Sequence, residues 1–186
     1  MKERDNVLRI LEETKQAIKT GDSAKIKALS NQTTNTASLT QDPDNIAVAV
    51  LVYSIGKIME RRDYQNLKGW NNFYRIVVTS LDGAITDVRE NNEKGFRAHF
   101  EMIHKAINKL SGKLKKYIQE VFRSAQINKA SRLYEHGISM AQTAKLLGVT
   151  MYELADYAGK TGISDVPVSR TMDAKARIKL AMEMFG

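Results

Sequence analysis

Five cations recur at helical spacing in the middle of the chain: Lys105, Lys109, Lys113, Lys116 and Arg123. Steps of three, four and seven bring side chains to one side of an α-helix. The row therefore forms a basic stripe, provided that one helix runs through Gly112. The chemistry it offers is neutralisation of a polyanion, with Lys113, Lys116 and Arg123 as phosphate contacts that bind without sequence preference. The plain alternative is a solvated face opposite Ile107, Leu110, Leu114 and Val121, because lysine is an ordinary surface residue. The charge distribution favours a polyanion partner for the C-terminal half. Residues 1–104 carry 15 basic and 14 acidic side chains, and residues 105–186 carry 14 and 7. Between Lys105 and Arg132 there are 8 basic residues and one acid, Glu120, whereas residues 133–186 hold 6 of each. The positive charge thus precedes the last third of the chain.

Other chemistry is sparse. The chain has no cysteine, which excludes disulfides and thiolate ligands. His99, Glu101 and His104 suggest a metal, but histidines five apart point to different sides of a helix, so no metal site is expected. There is no glycine-rich phosphate loop, nucleophile elbow or supported carboxylate pair, so neither an enzyme nor a cofactor is expected. Trp70, Phe73 and Tyr74 fit a core better than a base-stacking platform. The polar run Ser30 to Thr40 places Asn31, Thr34, Asn35 and Ser38 on one face. With Tyr53 and Ser54 they either line a small-ligand pocket or leave a solvated helix or loop.

Two further elements carry specific local signals. Ser139 with Gln142, and Thr150 with Glu153, are two capping boxes. Gly148 stands between them, where a left-handed residue ends a helix in a tight turn. Ala144 is small enough to let the second helix cross closely, and Leu154 and Tyr157 point back to the core. This spacing predicts a helix-turn-helix. The stretch Leu133 to Ile163 resembles the helix-turn-helix of small prokaryotic regulators, and in particular short antitoxin-type proteins. The residues that carry the resemblance are Leu133, Tyr134, Gly137, Ser139, Ala144, Gly148, Glu153 and Leu154. It covers about one sixth of the chain and implies a regulator whose second helix enters the major groove of double-stranded DNA. On that geometry Thr150, Met151, Tyr152, Ala155 and Asp156 face the groove, with Gln142, Lys145 and Lys160 at the backbone. Base edges are usually read by Arg, Lys, Asn or Gln, and this helix has none before Lys160. Glu153 and Asp156 are expected to oppose the phosphates. The same fold also serves as a packing unit, so an adaptor that binds a protein or ribonucleoprotein is the alternative.

Helical periodicity extends through the rest of the chain, and no strand alternation stands out. Helices are predicted over Arg4 to Thr20, Ala24 to Leu39 (with a weak centre), Ile46 to Arg61, Asp63 to Glu90, a segment after Asn91 or Asn92, and Leu114 to His136. Asp173 caps a last amphipathic helix bearing Ile178, Ala181, Met182 and Phe185, after an extended connector containing Pro167.

The expectation is an all-α protein: a helical bundle over residues 1–111 for interaction or sensing, then a helix-turn-helix domain over 112–186. It acts as a homodimer, paired through either the last helix or the N-terminal helices. The charged N-terminus is unlike a signal peptide, and the apolar run Ile46 to Ile55 is too short to cross a bilayer. A cytoplasmic protein without a membrane partner is expected.

Overall fold

The computed structural model describes residues 1–161. The connector around Pro167 and the amphipathic helix expected after Asp173 lie outside the described residues. What is described is all-helical: α1 (Arg4–Thr20), α2 (Ser23–Thr40), α3 (Pro43–Glu60), a 3-10 turn (Arg62–Asn66), α4 (Trp70–Arg89), α5 (Glu93–Lys109), α6 (Gly112–Glu135), α7 (Met140–Leu147) and α8 (Met151–Thr161). Among the described residues, no helix is long and apolar enough to cross a membrane.

Local chemistry sets most of these boundaries. Asp22 accepts the Lys25 amide at 2.9 Å and opens α2. Asp42 accepts the Asp44 amide at 2.9 Å, with Pro43 in the first turn of α3. Asn92 caps α5 by accepting the Gly95 amide at 3.0 Å. Each cap satisfies an amide that the helix itself leaves without a partner.

Two segments depart from the sequence expectation. The weak centre of α2 is continuous helix. Its hydroxyls turn inward on the helix's own carbonyls: Thr33 and Thr34 both donate to the Ser30 carbonyl, at 2.6 and 3.0 Å. Back-bonding of this kind answers the hydroxyl's need for a partner without unwinding the backbone, while Ile26, Leu29 and Ala37 bury the apolar face. Conversely, the single helix expected over Asp63 to Glu90 is broken. Leu67 is extended and Gly69 has φ 98°, so α4 begins only at Trp70. A positive φ is open to glycine and costly for other residues, and the Leu110 side chain lies 3.3 Å from where a Cβ at Gly69 would stand.

Buried apolar side chains form two clusters. The larger joins Val7, Leu11, Ile26, Leu29, Val52, Leu81 and Phe96 to Leu114 and Ile118 of α6. The smaller joins Ala37, Ile46 and Ala49 to Ala130, Leu133, Ile138, Ala144, Leu147 and Leu154. Burying one such Leu or Ile contributes about 1.5–3 kcal/mol. The chain leaves helix between α5 and α6 at Leu110 and Ser111, where a boundary was expected. Buried side chains on both sides of that break share the larger cluster. Helix α6 contributes to both clusters and ties α7 and α8 to α2 and α3.

Candidate nucleic-acid interface

Helices α7 and α8 are joined through Gly148, whose φ of 63° closes the turn. The amides of Gly148 and Val149 both reach the Ala144 carbonyl, so the orphan acceptor at the end of α7 is satisfied twice. Ser139 accepts the Gln142 amide at 3.2 Å. The reciprocal half of this box is replaced: the Gln142 side chain donates instead to Gln41 Oε1 at 2.6 Å, linking α7 to the end of α2. The second box is complete. Glu153 N–H donates to Thr150 Oγ1 at 3.1 Å, and Thr150 N–H donates to Glu153 Oε2 at 2.9 Å. Leu154 is fully buried, and Tyr157 is half-buried with its hydroxyl accepting from Asn128 Nδ2 at 3.3 Å.

The outward face of α8 carries Met151, Tyr152, Ala155, Asp156 and Lys160, all exposed, beside the exposed Thr150. Tyr152 is 84% exposed and Met151 55%. Neither acidic side chain of α8 is an open charge. Glu153 turns inward, where Arg123 Nε donates to its Oε1 at 3.1 Å and the Arg123 guanidinium also donates to the Gly148 carbonyl at 3.1 Å. The Thr150 amide, then the Arg123 guanidinium, then the Thr150 hydroxyl hold the Glu153 carboxyl down at about 2. Asp156 pairs with Lys160 at 2.6 Å, one turn apart.

The cations expected to form one stripe divide between two helices. Lys105 and Lys109 lie on α5, across the Leu110–Ser111 break, and Lys105 pairs with Glu101 at 3.4 Å. The condition that helix continue through Gly112 is not met, so the five-residue row does not exist as a single stripe. Lys113 and Lys116 are exposed on α6. Lys116 precedes Arg123 by two turns on the same side, about 10 Å along the axis. Lys145 is exposed on α7. Arg123 spends its donors on Glu153 and the Gly148 carbonyl, which makes it the strut that holds α8 against α6.

Other residues singled out from sequence have local roles. His99 lies against Gly83 and reaches Asp87 at 3.2 Å, while His104 is exposed. Trp70 and Phe73 are buried in the larger cluster, with Tyr74 half-buried against it.

A second feature answers to the small-ligand pocket that the polar run of α2 offered, without Ser38 and Ser54, which are not in its lining. Asn31, Thr34, Asn35 and Tyr53 line a cavity of about 460 Å³ between α2, α3 and α6. On its α6 side stands Lys129, only 2% exposed. Its ammonium donates to the Ser30 carbonyl at 3.0 Å, Ser30 Oγ at 2.8 Å and Thr34 Oγ1 at 2.8 Å. It sits 5.0 Å from the centre of the Tyr53 ring. No carboxylate pairs with it among the described residues. Burial, reinforced by the nearby Arg132 charge, pushes the Lys129 ammonium down to about 8. A lysine between Asn128 and Ala130 carries no sequence mark of burial. Only the packing of α6 on α2 reveals it.

No family model, curated protein or solved structure matches the chain.

Proposed function

We propose that this is a DNA-binding regulatory protein in which α7 and α8 form a helix-turn-helix, acting as a homo-oligomer and without catalysis. The observation that carries this reading is the internal pairing of both acidic side chains of α8. With Glu153 held by Arg123 and Asp156 by Lys160, the exposed face of the helix presents no uncompensated negative charge to a phosphate backbone. That supports the reading against the chief electrostatic objection raised by the residue types alone. In this reading α8 lies in the major groove. Tyr152 offers a hydroxyl to base edges, and the Thr150 methyl, Met151 and Ala155 offer apolar contact to thymine methyls. Gln142 and Lys145 of α7 and Lys113 and Lys116 of α6 serve the backbone, while Lys160 acts by compensating Asp156 and Arg123 through the position of α8. Oligomerisation would engage two half-sites at once, as is common for this motif.

A protein-docking adaptor is the second reading, and a specific observation favours it: Met151 and Tyr152 stand exposed side by side, and aromatic residues and Met are enriched at protein interfaces.

Binding to random-sequence duplex DNA across a salt series separates the two. A DNA binder loses affinity steeply as salt rises, with a log–log slope of about −0.9 per phosphate contact. Lys113→Glu/Lys116→Glu should weaken binding and flatten the slope by about 2. Absence of binding at low salt overturns the proposal in favour of the adaptor.

A further inference from the structure

The cavity beneath Lys129 joins three properties that do not ordinarily coincide on a structural surface. First, one of its lining groups is a buried ammonium whose three donors are all taken by neutral oxygens of α2. Its hydrogen bonds are satisfied, but its charge is not. Second, the lining is cationic: Lys27, Lys57, Lys129 and Arg132 face it against the single acid Glu60. Lys57 and Glu60 pair with each other at 2.9 Å, and Arg132 pairs at 2.9 Å with Glu135, which is not part of the lining, so among the described residues Lys27 and Lys129 are the lining cations without a carboxylate partner. Third, the remaining polar groups are neutral hydrogen-bonding side chains, among them Asn31, Thr34 and Asn128. A buried cation without a counter-ion is costly, and an apolar side chain of the same length would pack there more cheaply. Strongly perturbed buried groups that face a cleft are candidates for function.

We infer that this cavity is a binding site for a small organic anion whose phosphate or carboxylate group supplies the counter-charge missing from Lys129. The anionic oxygen displaces Ser30 Oγ or Thr34 Oγ1 as an acceptor of the Lys129 ammonium. The displaced hydroxyl, free to rotate, then becomes a donor to the same ligand. Arg132, exposed and paired with Glu135 at 2.9 Å, offers a second cation by turning from that carboxylate to the ligand, and the amides of Asn31 and Asn128 hold the body of the molecule. Asn128 also donates to the Tyr157 hydroxyl of α8, so a ligand held by Asn128 touches a side chain that is hydrogen-bonded to the exposed helix. The inference does not depend on whether α8 binds DNA.

The test is the thermal unfolding midpoint of the whole chain in inorganic phosphate and in succinate, each against chloride at matched ionic strength. Wild type, Lys129→Met and Arg132→Gln are compared. Saturating ligand should raise the wild-type midpoint by about 5 °C or more. The rise should vanish in Lys129→Met and shrink in Arg132→Gln, whose side chain lies at the surface and whose replacement leaves the fold intact. A response to phosphate alone identifies a phosphorylated ligand, and a response to succinate alone identifies a carboxylate. No rise over chloride with either probe overturns the inference. So does an equal rise in all three proteins, which is general salt exclusion from the surface.

Discussion

Arg123 and Glu153 are thirty residues apart, yet they form the joint that sets the position of α8, with Arg123 Nε donating to Glu153 Oε1 at 3.1 Å. The same guanidinium reaches the Gly148 carbonyl, so one side chain of α6 grips both the turn after α7 and the first turn of α8. Glu153 in turn closes the Thr150 cap. A carboxylate placed at the positive end of a helix and bound by arginine is stabilised in its ionised form.

This joint should loosen in acid. Glu153 ionises in the folded protein at about 2 instead of its ordinary 4.5. Its contribution is therefore complete above pH 4.5 and is lost as pH falls from there toward 2. Amide exchange of α8 should accelerate over that window, and Glu153→Gln should abolish the dependence. An α8 whose exchange is flat between pH 5 and pH 3, after correction for the intrinsic rate, would show that the joint carries no stability.

Leu154 is the anchor of α8 in the smaller cluster, with no exposed surface. Leu154→Ala should destabilise the protein by about 3 kcal/mol, from lost burial plus the cavity left behind. Denaturant unfolding followed by circular dichroism measures it. A loss below about 1 kcal/mol would mean that α8 is not packed as described.

Gly83 on α4 is a contact with a reversible sign. A Cβ added there overlaps the His99 imidazole of α5, which reaches Asp87 at 3.2 Å. Gly83→Ala should therefore destabilise by about 1–3 kcal/mol through overpacking. In a His99→Ala background the same change should stabilise by up to about 1 kcal/mol, the helix-propensity gain alone. A double-mutant cycle on unfolding free energies reads the coupling directly.

Lys129 predicts an alkaline gain in stability. Its folded value of about 8 lies below its ordinary 10.5, so the unfolded chain binds more protons between those limits. Below pH 8 the full cost of the buried charge is present. Stability then rises with pH and the cost is gone above about 10.5, a change on the order of 3 kcal/mol. Tyr53 faces Lys129 from α3 and Arg132 lies near it on α6. Burial raises the Tyr53 hydroxyl above its ordinary value, and the informative quantity is the difference between wild type and Lys129→Met across pH 7.5 to 10. The variant should be the more stable at pH 7.5, and the two should converge at high pH.

What was legible in the sequence is what local chemistry controls. Asp42 before Pro43, Asn92, Ser139 and Thr150 each announce a helix start, because a cap needs only its own side chain and amides two or three residues away. The positions of α7, the turn at Gly148 and α8 follow from such signals, as does the burial of Leu154. The rim of the polar cavity was half legible, since Asn31, Thr34 and Asn35 recur at helical spacing.

The remainder was decided by tertiary structure. The break at Gly69 accompanies the Leu110 side chain that lies against it, a contact forty-one residues distant. The basic stripe divides because α5 and α6 are separate helices meeting one core, and periodicity alone cannot see a turn between two helices in phase. Above all, the sequence placed Arg123 among the phosphate contacts, left Lys129 unmarked and set Glu153 against DNA. Packing of α6 on α2 buried Lys129, and packing of α8 on α6 joined Arg123 to Glu153. Composition fixes how many charges a chain carries, but whether a charge is solvated, paired or buried depends on which helices come to lie beside it.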